Sequence, residues 1–405
     1  MPRFIILAFL LVMSQLFVFC SDGSLVDPVR PYEGDSVSGV DTGTLTGKVM
    51  CGYQGWFNAE GDGADLGWTH WSRNKSELFG PGNVTVDLWP DVSEYNQDEL
   101  FETGFEFENG EKAKVFSSHS ANTVSLHFKW MQEYGIDGAF VQRFAHGLSD
   151  PERKYHKDVV LSNARAAANQ HGRAYVVMYD LSGLPKGGVD LVRRDWQLLQ
   201  EKMQITKDPA YLHHEGKPVV AVWGVGFNGA GKPRDYSLAE CRDLVAFLKA
   251  DGCTVMLGVP TGWRTLDRDA MEDSLLHEVI QMADIVSPWT PGRYRDLKGI
   301  AEHAERYWMP DKLWTEDNGL DYLPVVFPGF SWHNLKGTEL GAIPRLKGAF
   351  LWSQFVEAKR SGCDMLYVAM FDEVDEGTAI FKCTNNPPTA NVASFLTYEG
   401  LRNDY

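Results

Sequence analysis

The stretches IDGAFVQRF (136–144), HKDVVLSNARAAANQHG (156–172) and AYVVMYDL (174–181) lie close together in the chain. The first and third are short apolar runs rich in β-branched and aromatic residues. The second repeats apolar residues at three- and four-residue spacing and ends in a Gly that can close a helix. Strand, helix, strand over so short a distance is a βαβ unit, and its two strands must run parallel.

The rhythm extends in both directions. Similar apolar runs fall at 48–56, 218–227, 253–259, 283–289, 323–330 and 364–371, which makes eight. Helix-like stretches lie between them, at 189–203, 238–252 and 343–362 among others. From the second run onward, successive starts are 30 to 44 residues apart. Eight such units predict a single (β/α)8 TIM barrel. An open doubly wound sheet is disfavoured because no Gly-rich phosphate loop follows the early strands. The first interval, 88 residues, is far too long for one helix. A large insertion after the first strand is therefore expected over 57–119, carrying GWTHW (67–71) and DLWPDVSEY (87–95) on one face of the barrel. The barrel is expected to occupy 46–405, without a second domain.

Residues 1–20, MPRFIILAFLLVMSQLFVFC, have the charge-then-apolar order of an export signal. Ser14 and Gln15 interrupt the run before it reaches spanning length. The protein is thus expected to be secreted or held in the cell envelope, with no membrane span. Cys20 suggests a lipid anchor, although Phe19 is large for the position before a lipidated Cys. Residues 21–45, rich in Gly, Ser, Asp and Pro, read as a flexible leader. Five cysteines remain beyond the signal, far apart and without a C-x-x-C pair, so neither a disulfide framework nor a zinc site is indicated. A net charge of −17 disfavours a nucleic-acid partner.

Thirteen Trp, fifteen Tyr and twenty-two Phe are many for a core of this size, and Trp faces often serve as platforms for sugar rings. Active sites of (β/α)8 barrels lie at the C-terminal ends of the strands. Here those ends read GYQGWF, QRFAHG, YDLSG, WGVGF, VPTGW, SPWTPGRY, FPGFSWHN and FDEVDEG. Nearly all combine an aromatic with Gly, Pro or a polar neighbour. Aromatics plugging the barrel would account for some, but not for the accompanying Gln142, Arg143, His146, Asp180, Arg293, Tyr294 and His333. Flat apolar faces among hydrogen-bonding groups suit an oligo- or polysaccharide.

The last run ends in FDEVDEGTAIF (371–381), with Asp372, Glu373, Asp375 and Glu376 inside five positions. Two carboxyl groups flanking a glycosidic bond are the working parts of most glycosidases, and crowding keeps one of them protonated at neutral pH. A calcium loop is the main rival, although the EF-hand spacing is missing. A solvated acidic loop is the third reading.

FDEVDEGT resembles the eighth-strand motif of glycoside hydrolase family 99, the endo-α-mannosidases, and of the related family 71. In that group a Glu-x-x-Glu pair followed by Gly-Thr ends the last strand of a (β/α)8 barrel. VMCGYQGWF, GWTHW and YGIDGAFVQRF are similar to its first two strands and first loop. The resemblance implies Glu373 as base and Glu376 as general acid. It implies a retaining reaction in which the base deprotonates the substrate's own 2-hydroxyl to form a 1,2-anhydro sugar, with no metal or cofactor. Asp372 stands where the pattern has Asn, and Val374-Asp375 where it has Trp-His, which bears on the choice of sugar. Tyr53, Trp56, His70, Trp71, Asp137, Asp180, Tyr294 and His333 are the candidate substrate contacts. The alternative is a non-catalytic glycan-binding barrel whose acids hold calcium or serve structure alone.

Overall fold

In the computed structural model, which describes residues 27–229, 232–389 and 392–402, the apolar runs become parallel strands. They are β1 Val49–Tyr53, β2 Gly138–Phe144, β3 Ala174–Asp180, β4 Lys217–Trp223, β5 Thr254–Val259, β6 Ile285–Pro288, β7 Asp321–Tyr322, β8 Val325–Val326 and β9 Leu366–Val368. Their order in the sheet is β7-β6-β5-β4-β3-β2-β1-β9-β8. The two ends of that path, β7 and β8, are neighbours in sequence, separated by Leu323 and by Pro324, which has no N–H to give a ladder. Leu323 N–H donates to Val286 O at 2.9 Å, and Tyr367 N–H donates to Pro324 O at 3.1 Å. This one stretch therefore bonds to both sides, and the curled parallel sheet is consistent with a (β/α)8 barrel. The expected signal segment and Cys20 lie outside the described residues.

The helices are α1 Ala121–Glu133, α2 Pro151–His171, α3 Asp190–Leu198, α4 Leu238–Ala250, α5 Leu275–Gln281, α6 Leu297–His303, α7 Met309–Asp317, α8 His333–Lys336 and α9 Ala349–Arg360. Local chemistry sets their limits. α2 starts earlier than its apolar pattern because the Asp150 carboxylate accepts the N–H of Glu152 and Arg153, and Pro151 suits the first turn. It stops at Gly172, which takes φ 59°. α9 starts late because Lys347 and Gly348 are left-handed. No described helix is long and apolar enough to cross a membrane.

Between β1 and α1 the chain forms loops and an antiparallel pair, Phe101–Glu106 with Lys112–Val115. An aromatic cluster of its own holds this segment, with Trp71 against Phe57, Phe79 and Phe116, and Trp89 against Phe79 and Phe105. Much of the aromatic surplus is therefore interior: Trp71, Trp89, Trp130, Trp196, Trp263 and Trp308 are fully buried. Residues 27–45 contain neither helix nor strand, yet Val37 and Val40 donate N–H to Asn169 O and Gly172 O at the end of α2.

Register levels the strand ends. Phe144 pairs with Asp180, Asp180 with Trp223, and Trp223 with Gly258. A Cβ on Gly258 would come within 2.4 Å of the Trp223 ring, so glycine makes room for that indole. Side chains alternate in direction. Gln142 reaches Tyr367 of β9 at 3.1 Å, while Arg143 turns outward to Asp158 of α2 and Asp195 of α3.

Candidate active site

After β9 the acid loop is fastened to the end of β1. Phe371 N–H donates to Gly52 O at 2.8 Å. The two oxygens of Asp372 then accept the backbone N–H of Gln54 and Gly55 at 2.8 and 2.9 Å. Glu373 is held at both oxygens, by the Gln54 side-chain amide at 2.8 Å and the Thr378 hydroxyl at 2.9 Å. Gly377 makes the turn at φ 64°, where a Cβ would press on Ser331 at 3.0 Å. The Glu376 carbonyl accepts Ser331 N–H at 2.8 Å. Asp375 pairs through one oxygen with His70 Nδ1 at 3.1 Å, and its other oxygen is buried without a partner.

Burial and crowding raise the proton affinity of Asp372, Glu373 and Glu376. Burial, then the charges of Glu376 and Asp375, push Glu373 well up, while its two donors pull the other way. Burial and Asp375 push Glu376 up to about 8, opposed by Trp332 and Lys336. Burial pushes Asp372 up to about 7 against the N–H groups that grip it. Around neutral pH this arrangement retains protons that isolated carboxylates would have lost. With both oxygens of Asp372 and both of Glu373 already accepting N–H or O–H, a calcium ion would find few free ligands there.

Trp56 and His70 stand beside these acids, and Asp180 ends β3 next to Phe144 of β2. Half-buried Trp56 stacks on His70 with centroids 3.7 Å apart and planes 5° apart, and on Phe144 at 5.0 Å. Burial pushes Asp180 up to about 6, with Ser182 N–H donating to it at 2.6 Å. Trp223 and Trp289 meet edge to face at 5.5 Å on the far side of the mouth.

Other expected contacts go elsewhere. Tyr53 is fully buried, with its hydroxyl bonded to His127 of α1 at 2.9 Å, because its parity points it out of the barrel. Trp71 lies in the aromatic cluster with no exposed surface. Asp137 sits at the opposite, N-terminal end of β2 and accepts Val49 N–H at 2.8 Å. Tyr294 is buried, and its hydroxyl donates to Gln354 at 2.7 Å. The His333 ring N–H donates to Thr338 O at 2.7 Å within its own turn. Arg143 and Arg293 are occupied by carboxylates: Asp158 and Asp195 for the first, Asp269 for the second.

Several structures share this fold. The glycoside hydrolase family 99 endo-alpha-mannosidase from Bacteroides thetaiotaomicron aligns with a TM-score of 0.62 and 15% identity, over 89% of this chain and 95% of that one. The same kind of enzyme in complex with bis-tris-propane gives 0.62 and 15%, over 89% and 94%. A glycoside hydrolase-like protein gives 0.50 and 12%, over 78% and 92%. No protein-family model and no curated protein sequence matches the chain.

Sequence reasoning missed Gln54 and Thr378, which grip Glu373. It also missed Asp87, whose carboxylate accepts the N–H of His333 and Asn334 and so anchors α8 beside Glu376. Gln54 lies within GYQGWF, so strand-end inspection reaches it. Its partner lies 319 residues away, which no local pattern reveals.

Proposed function

We propose that this protein is an exported, retaining glycoside hydrolase acting on an α-linked glycan through Glu373 and Glu376. The observation that carries the reading is the two-sided grip on Glu373 beside a second carboxyl with raised proton affinity, at the mouth where Trp56 and His70 stack. Burial and the charges of Glu376 and Asp375 raise Glu373, and its two donors oppose that rise. Once Glu376 holds its proton, its charge no longer opposes ionisation of Glu373, which then suits a base. Glu376, at about 8, suits a proton donor.

Glu373 takes the proton of the 2-hydroxyl, O2 closes on C1, and the glycosidic C–O bond breaks as Glu376 protonates the leaving oxygen. Water then attacks C1 and gives a proton to Glu376, the C1–O2 bond breaks, and O2 recovers its proton from Glu373. The two displacements return the original configuration. The fold shared with endo-alpha-mannosidases supports the reading. Trp56, stacked between His70 and Phe144, meets the sugar with its remaining exposed edge, Asp180 accepts a hydroxyl, and residues 57–119 are the insertion that walls one side of the cleft.

The test is a screen of purified protein against α-mannans, α-glucans and N-glycans, with Glu373→Gln and Glu376→Gln alongside. Glu376→Gln should lose substrates with poor leaving groups and retain glycosyl fluorides, whereas Glu373→Gln should lose both. A 2-fluoro sugar should leave no mass adduct. An ester on Glu373 would overturn the neighbouring-group route in favour of direct attack.

A further inference from the structure

A groove of about 430 Å³ opens outward from the acid loop, lined by Thr69, His70, Arg73 and Lys75, by Leu335 of α8, and by Asp375. At Asp375 one carboxylate oxygen is buried and unpartnered, an acceptor that a ligand O–H would satisfy. Two cations line the groove and a third stands close by. The Arg73 guanidinium donates to the carbonyls of Asn334 and Leu335, Lys75 lines the groove, and Lys336 follows Leu335 closely enough to weigh on the charge of Glu376.

None of the three pairs with a carboxylate among the described residues, whereas Arg143, Lys249, Arg264, Arg293 and Lys382 all do. Single surface cations commonly face water. Such a group beside one groove, in a chain with 55 acidic and 38 basic side chains, is a local concentration of positive charge. The groove also borders the proposed proton donor. Glu376 is flanked by Trp332 and Lys336, and α8 forms part of the groove wall.

We infer that this groove binds the leaving-group side of the glycan and selects a sugar bearing an anionic substituent, a carboxylate or a sulfate ester, contacted by Arg73, Lys75 and Lys336 while a neighbouring hydroxyl donates to Asp375. The side of the scissile bond rests on the hydrolase reading; the charge preference does not.

Calorimetric titration of the Glu376→Gln protein tests it with three probes: α-mannotetraose, its chemically sulfated form, and a hexuronate-bearing α-linked tetrasaccharide. At least one anionic probe should bind about fivefold or more tightly than the neutral one. That advantage should shrink in about 0.5 M salt, where charge contacts are screened. It should vanish in Lys75→Gln/Lys336→Gln, whose fold circular dichroism would verify. Which anionic probe wins separates sulfate from carboxylate. Lys298→Gln on α6 should keep the advantage. Equal binding of all three probes, no binding at all, or an equal loss in Lys298→Gln overturns the inference. Hydrolysis of neutral α-glycans without a charge preference would leave the hydrolase reading standing alone. A charge preference with no hydrolysis of any α-glycan would leave only the groove.

Discussion

Gln54→Met keeps the length of the side chain and removes the amide that donates to Glu373 at 2.8 Å. A hydrogen bond to a charged group contributes about 1.5–3 kcal/mol, and about 1.4 kcal/mol corresponds to one pH unit in a proton affinity. Because this bond favours ionised Glu373, its loss should move the acidic limb of the kcat/KM profile up by about one to two pH units. On that limb the rate should fall by about tenfold or more. The basic limb, set by Glu376, should stay near 8. Stability should change little, since the Gln54 carbonyl oxygen is buried without a partner and its removal offsets part of the lost bond. The Asp372 contacts use the Gln54 backbone and survive the substitution. The assay is a pH–rate series with an activated substrate, together with a thermal melt. An equal loss of rate at every pH, with neither limb displaced, would refute the argument and make Gln54 a substrate contact only.

Glu376 must be protonated to act, so activity should fall as pH rises through about 8, and Glu376→Gln acting on a glycosyl fluoride should lack that limb. Asp375→Asn removes a charge that raises Glu376 and should move the basic limb below 8; an unmoved limb would make Asp375 a bystander. Trp71→Ala should cost about 3–5 kcal/mol in chemical denaturation, as for other buried Trp, whereas Trp56→Ala should raise KM several-fold at nearly unchanged stability. Arg143→Met strands the buried charge of Asp195, Asp158 keeping Lys154 at 2.6 Å, and should also cost about 3–5 kcal/mol, recovered in part by neutralising Asp195 as well.

The alternation of apolar runs and helical stretches was legible because strands buried on both faces read as continuous apolar segments. The same property hid which parity faces inward. Gly52, Gln142 and Asp180 look into the barrel while Tyr53, Arg143 and Tyr179 look out, yet both sets are buried and both end their strands. Tyr53 was therefore read as a sugar contact and lies behind the wall. The seventh run was expected over 323–330, but Pro324, Pro328 and Gly329 reduce its strand to Val325–Val326. The crowding of four acids at the end of the eighth run was legible in the sequence, while the choice of Glu373 and Glu376 among them rests on the family resemblance. The supports of the acids were not legible, since Gln54, Asp87 and His70 reach them across the whole chain.

The grip of Gln54 and Gly55 on Asp372 and Glu373 joins residues more than three hundred positions apart. A chain synthesised from its N-terminus holds one half of this clasp almost throughout synthesis, with nothing to close it on. No fragment that lacks residues 54–55 or 372–373 can close it, so a truncated chain leaves the acids without the donors that hold them. Contacts of such separation also form slowly. The closed clasp is therefore a mark that everything from Gln54 to Glu373 has been made and folded.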